Sequence, residues 1–350
     1  MEHVRGAASA KGVRVSERWV WDRYWQCDRI ASCFDGAGAS NYADAIAEGW
    51  RGFFADLPEQ SRILDLCTGN GAIALIAAEM SRTRDKNHSI TAVDQADIDP
   101  PAYVTRHSED IAAICFVGRT EVEALPFPDA SFDAVISQYG LEYADMDRAL
   151  PEAVRVLAPG GSVRFVVHAA DGIVADNART VIAEADLLLR DIDLIGNARR
   201  CFEAVARVDG GDSSDAAREQ AKTAVAEFRS ALQRTGRQIS AAADPMMFHN
   251  SGGVLLDAFQ ARGRVGYDAV FEKVDRVESE ILAHRGRLQA LVDAALDQEG
   301  ANGLAAKLRG AGAIEASCSE LRSDKGLIGH VVEARFEPNY FRPNSFSISP

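Results

Sequence analysis

The stretch RILDLCTGNGAIAL, Arg62 to Leu75, decides how the rest of the chain is read. Ile63-Leu64-Asp65-Leu66 is a short apolar run that suits a buried parallel strand. Thr68-Gly69-Asn70-Gly71 turns the chain, and the alanine-rich run from Ala72 to Met80 reads as a helix. Two glycines at a strand-to-helix turn let backbone approach a ligand with no Cβ in the way. The first free N–H groups of the helix point at the same spot, so the turn suits a small ligand with a nucleotide-like or carboxylate end.

Upstream of the turn lies RWVWDRYWQCDRIASCF, where Trp21, Tyr24, Trp25 and Ile30 recur near helical spacing. That spacing predicts a helix packed on something apolar, either plain core or a lid over a ligand pocket. A second helix is expected from Asn41 to Leu57, ended by Pro58. Downstream, strands are expected at Ser89–Val93 with Asp94 at the end, Ala113–Val117, Phe132–Ser137 and Ser162–His168. A helix from about Asp147 to Leu157 precedes the last of these, and strands alternating with helices imply a parallel, doubly wound sheet.

From about Gly172 to Gln298 the pattern becomes helical throughout, with apolar residues at three- and four-residue steps. Asp209 to Ser214 marks one loop in it, and Asp244-Pro245 with Ser251-Gly252-Gly253 marks another. Strand character returns at Ala313–Leu321 and Leu327–Phe336, joined by a polar link, which reads as an antiparallel hairpin. Residues Met1 to about Val15 are expected to be disordered, and the tail after Phe336 to be extended. The expected division is therefore an aromatic helical segment or lid at 1–58, a core at 59–170 and 301–336, a helical insertion at 171–300, and a tail at 337–350.

The chain has 350 residues, 47% of them apolar and 26% charged, with a net charge of −14. An acidic chain repels a phosphate backbone, which argues against nucleic acid as partner. The six cysteines, Cys27, Cys33, Cys67, Cys115, Cys201 and Cys318, are scattered, which supports neither a zinc site nor a disulfide framework. No apolar run reaches membrane-spanning length and no signal core is visible, so a cytoplasmic protein with reduced thiols and no membrane partner is expected.

Four features fall at matched positions: Asp65-x-x-x-Gly69-x-Gly71 after strand one, Asp94 after strand two, Glu121 to Phe127 after strand three, and Ser137-Gln138-Tyr139 ending strand four. In open α/β sheets, ligands sit beyond the carboxyl ends of the strands where the winding reverses. The set, carried by LDLCTGNGAIAL, AVDQAD, EVEALPFPDASFDAVISQYGLEYAD and EAVRVLAPGG, resembles the class I S-adenosylmethionine-dependent methyltransferases, in particular the small-molecule type 11 branch. It covers about Gln60 to His168 firmly and the C-terminal helix and hairpin more loosely.

The resemblance implies a Rossmann-like seven-stranded sheet, mostly parallel with a C-terminal antiparallel hairpin, and S-adenosyl-L-methionine as cofactor. It implies that Asp65, Thr68, Gly69 and Gly71 hold the methionine end. Asp94 would take the ribose hydroxyls and Gln95 lie against the adenine. Glu121, where the family usually has Asp, and the Val122 N–H would read the adenine edge, with Glu123 as a competitor. Gln138 and Tyr139 would flank the sulfonium.

His168, at the end of strand five, is the best-placed general base should the acceptor need one. Tyr24, Trp25 and His249 are candidate substrate-pocket residues, although for His249 a place in a surface loop is the preferred reading. A methyltransferase acting on a small organic acceptor is the expected function, with a homodimer through the helical insertion as an open possibility. Two readings compete: an NAD-dependent oxidoreductase, for which Asp94 has the right spacing but the third glycine is replaced by Ala74, and a non-catalytic cofactor-binding partner protein.

Overall fold

The computed structural model describes residues 18–32 and 41–338, so the expectations for the first residues and for the tail lie outside the described residues. The chain divides into two compact units, one of residues 1–175 and 294–350 and the other of 176–293.

The first unit opens with α1 (Arg18–Trp25) and α2 (Asp44–Asp56) and then enters β1 (Arg62–Leu66). There follow α3 (Ala72–Thr83), β2 (Ser89–Val93), the short helices α4 (Pro100–Tyr103) and α5 (Ser108–Ala112), β3 (Ile114–Val117) and β4 (Phe132–Gln138). A 3-10 turn (Leu141–Tyr143), α6 (Met146–Val156) and β5 (Leu157–Val167) complete this half. After the second unit, the chain returns with α12 (Gln298–Gly310), β6 (Ala313–Ser323) and β7 (Gly326–Phe336).

The seven strands form one sheet in the order β3-β2-β1-β4-β5-β7-β6. β1 to β5 are mutually parallel, while β7 runs antiparallel to both β5 and β6. The expected mostly parallel seven-stranded sheet with a terminal hairpin is the sheet observed. Its central strands are apolar on both faces because helices cover both; Leu64, Val135, Val163 and Val332 join α6 and α12 residues Ala153 and Leu308 in one buried cluster. β6, at the sheet edge, is largely exposed and carries Glu315, Glu320 and Arg322, charges that discourage pairing with a further strand. The register aligns Leu66 with Val93 and with Ser137, and Val93 with Val117, so the parallel strands end along one edge. The winding reverses between β1 and β4.

The second unit is helical: α7 (Ile173–Asp186) enters it, followed by a π-helical turn (Leu187–Asp191), α8 (Leu194–Asp209), α9 (Asp215–Gln238), α10 (Pro245–Val265) and α11 (Tyr267–Ala294). It has its own core, in which the Phe202 ring stacks on Phe259 with centroids 5.6 Å apart and meets Phe228 edge-on at 5.5 Å. One expected loop is absent: Ser251-Gly252-Gly253 lies inside α10, which runs unbroken from Pro245. Asp244 caps that helix by accepting the Met247 N–H, and packing of Phe248, Leu255 and Ala258 into the core carries the helix through its glycine pair.

No helix among the described residues is long and apolar enough to cross a membrane. The five described cysteines are free thiols.

Candidate cofactor and acceptor site

The glycine turn is held from within the sheet. Gly71 sits at the N-cap of α3 and has no side chain to cap it. The Asp65 carboxylate does that work instead, accepting the Ala74 N–H and, at 2.6 Å, the Thr68 hydroxyl. Gly69 and Gly71 both have positive φ, 55° and 84°. A Cβ on Gly69 would clash with the Trp25 ring, and one on Gly71 would lie 2.8 Å from the Phe116 ring, so both positions demand glycine for conformation and for space.

Asp94, one residue past β2, clamps the same turn. Its Oδ2 accepts the Gly69 N–H and its Oδ1 the Ala96 N–H, both at 2.8 Å. Burial lifts its carboxyl above the usual range, against those two hydrogen bonds. Asp65 is pushed further, to about 7, by burial first. Gln95 is half-buried beside Asp94. After β3, Thr120 N–H bonds to the Asp94 carbonyl, Glu121 is exposed and Val122 is buried. Glu123 turns toward the other side, where its Oε1 accepts the Asp145 N–H.

At the end of β4, Gln138 Oε1 accepts the Trp50 indole N–H at 2.7 Å, and its buried Nε2 has no hydrogen-bond partner among the described residues. Tyr139 takes φ 55°, donates its hydroxyl to the Ile328 carbonyl at 2.9 Å and stacks on the His168 ring with centroids 4.1 Å apart. His168 is 0% exposed. One oxygen of Glu142, in the 3-10 turn after β4, receives both the His168 backbone N–H and Nδ1, at 2.9 and 2.7 Å. The other oxygen is buried without a partner among the described residues. Tyr143 meets His168 edge-on at 6.2 Å.

Cys67 packs against Gly140 and so joins the β1 and β4 ends. Its thiol is pushed well up, by burial first and then by Asp94, Glu142, Asp65 and Glu123. The edge between β1 and β4 thus gathers the buried Asp65, Asp94 and Glu142 carboxyls beside the stacked Tyr139 and His168 rings.

An aromatic series covers this edge from the N-terminal side. Tyr143 meets Trp21, Trp21 meets Tyr24, and Tyr24 meets Trp25, all edge-on with centroids 4.8 to 5.8 Å apart. Trp25 then rests on Gly69.

Residues 64–165 match the profile of a family described as "Methyltransferase domain", of the type 11 branch. This strip of chain is thus similar to a methyltransferase domain. Over 124 residues the chain is 40% identical to a demethylmenaquinone methyltransferase of Thermus thermophilus, covering 34% of this chain and 52% of that protein. It is 34% identical over 109 residues to a ubiquinone/menaquinone biosynthesis C-methyltransferase of Geobacter sulfurreducens, covering 29% and 40%. The chain spans about half the length of the curated relatives it matches. A solved S-adenosylmethionine dependent methyltransferase from Mesorhizobium loti aligns at 24% identity over 37% of this chain and 55% of that one, with a TM-score of 0.30.

The sheet gathers Asp65, Thr68, Gly69, Gly71, Asp94 and Gln95 around one turn and sets Gln138, Tyr139 and His168 along the neighbouring strand ends. Tyr24 and Trp25 lie over the turn. His249 lies in the other unit, exposed on α10 and therefore on a helix rather than a loop. Sequence reading missed Glu142, Asn70 and Cys67. Glu142 alone left a signal, an acid four residues past a strand end on the ligand edge.

Proposed function

We propose that the chain transfers a methyl group from S-adenosylmethionine to a small organic acceptor. The observation that carries this reading is the paired clamp on Gly69: a buried carboxylate from β2 on its N–H, and a second carboxylate from β1 under the turn. The residues fit the group. Both glycines bring backbone close without a side chain of their own, the α-helical N–H groups behind them suit a carboxylate, the buried Gln138 Nε2 can donate to a polar ligand atom, and the second Glu142 oxygen can accept from one.

S-adenosylmethionine supplies the activated methyl group together with its leaving group. Asp65, Thr68, Gly69 and Gly71 position the amino-acid end, with Asp65 acting through the shape of the turn. Asp94 keeps lone pairs for the ribose hydroxyls beyond its two backbone bonds. Gln95, Glu121 and Val122 border the adenine, and Gln138 and Tyr139 border the sulfonium. The protein's main contribution is alignment and exclusion of water.

Where the acceptor carries a proton, His168 takes it. Glu142 holds the Nδ1 proton, which leaves the Nε2 lone pair as the basic position. The ring is enclosed, with Tyr143 edge-on to it, so its surroundings must open for an acceptor to reach it. The names of the relatives make a quinone precursor, methylated on carbon, the first acceptor class to try.

Titration calorimetry with S-adenosylhomocysteine tests the reading. The wild type binds, and Asp94→Ala weakens binding at least about tenfold, as loss of charged hydrogen bonds requires. His168→Asn keeps cofactor affinity and lowers turnover by about a hundredfold or more on an acceptor that carries a proton. Binding of NADH in place of S-adenosylhomocysteine would sink the proposal.

A further inference from the structure

We infer that Asn70 is a positioning residue of the cofactor site, fastening an N-terminal strap over the glycine cradle and so setting how long the cofactor or its product stays bound. The inference rests on the cofactor reading above. Asn70 stands between the two cradle glycines and is 1% exposed. Its amide nitrogen lies 2.9 Å from the Trp25 carbonyl, 2.7 Å from that of Arg29 and 3.3 Å from that of Cys27. Three acceptors around one nitrogen fix the orientation of the amide, because the flipped form would set oxygen against oxygen. Trp25 ends α1, where carbonyls lack intrahelical partners, so Asn70 serves as the C-terminal cap of the strap helix.

The other fasteners lie farther out. The Asp22 carboxylate accepts the Asp97 N–H, Asp28 accepts the Thr105 N–H and hydroxyl, and the Tyr42 hydroxyl donates to the Ser32 carbonyl. Asp28 and Thr105 are exposed, so water replaces their bonds at little cost; the Asn70 bonds to Trp25 and Arg29 are not replaced so easily. With the strap fastened, the Trp25 ring lies on Gly69 and Trp21 on Tyr143, so one side chain in the cradle holds the wall that borders the whole edge. The Asn70 oxygen is buried with no partner among the described residues, as befits an amide kept for its donors.

The test compares wild type with Asn70→Ala, which removes the donors, and Asn70→Asp, which turns a carboxylate toward three carbonyl oxygens. Trp25→Ala, with Asn70 intact, serves as the milder variant. Two readouts are taken: tryptic cleavage after Arg23 and Arg29 in the ligand-free protein, and dissociation of S-adenosylhomocysteine by stopped-flow tryptophan fluorescence. In the Asn70 variants both rates rise about tenfold, the equivalent of about 1.4 kcal/mol, while the association rate stays near that of the wild type. A merely structural asparagine would lower the melting temperature and leave dissociation from the folded fraction unchanged. Unchanged dissociation in all three variants overturns the inference while the cofactor reading stands. Failure of the wild type to bind S-adenosylhomocysteine overturns both.

Discussion

Asp65 is a carboxyl group placed where a carboxylate is expensive. It lies fully inside the domain, its hydrogen bonds to Thr68 and Ala74 favour ionisation, and burial nonetheless pushes it up to about 7. Between pH 4 and 7 the folded state therefore holds a proton that the unfolded chain has released. By linkage, its contribution to stability is full below the ordinary value of 3.8 and is lost as pH rises through about 7. Denaturant midpoints measured from pH 5 to 8 should fall with pH more steeply for the wild type than for Asp65→Asn. Asp94 is raised in the same direction, so affinity for a ligand that needs its carboxylate should decline on acidification sooner than an exposed aspartate would dictate. Calorimetric titrations at pH 5 and 7 check that. Two other residues at this edge, Cys67 and Tyr139, sit in the left-handed region directly past β1 and β4, local strain that the surrounding packing sustains.

Elements were legible wherever their signal is local. Apolar runs ending at Leu66, Val93, Val117 and Ser137 marked the parallel strands, and Gly69 and Gly71 marked the turn, because each feature lies within a few residues. The helix α10 was misread because a glycine pair is a local breaking signal, and the packing that overrides it comes from other helices. That misreading has a measurable side. A Cβ at Gly253 meets nothing within 4 Å, and its backbone is helical. Gly253→Ala should therefore raise stability by about 0.5–1 kcal/mol, read from the shift in a denaturant midpoint. The role of Asn70 left no such signal, and that of Glu142 left only an acid close to a strand end. Asn70 reaches carbonyls 41 to 45 residues away, and Glu142 meets His168 across 26 residues, so their partners exist only once the sheet has formed.

At the scale of the molecule, each unit carries its own buried cluster, one around β1, β4 and β5 and the other around Phe202 and Phe228. Two cores of this kind support separate cooperative transitions. Phe202 is fully buried, and Phe202→Ala should cost about 3–5 kcal/mol in the helical unit. Scanning calorimetry should show that loss in one transition and leave the other in place; equal shifts of both would mean the units unfold as one.

The sheet has a consequence for synthesis. β5 pairs on one side with β7, which follows it in the chain only after 158 intervening residues, from Val167 to Gly326. At about 5–20 residues per second, a ribosome takes roughly 8–30 s to make that interval. Throughout it the edge of β5 stands open on the nascent chain while a complete helical unit emerges behind it. The domain that begins first is thus the last to close, and its exposed strand is the point at which a chaperone or a neighbouring nascent chain gains access.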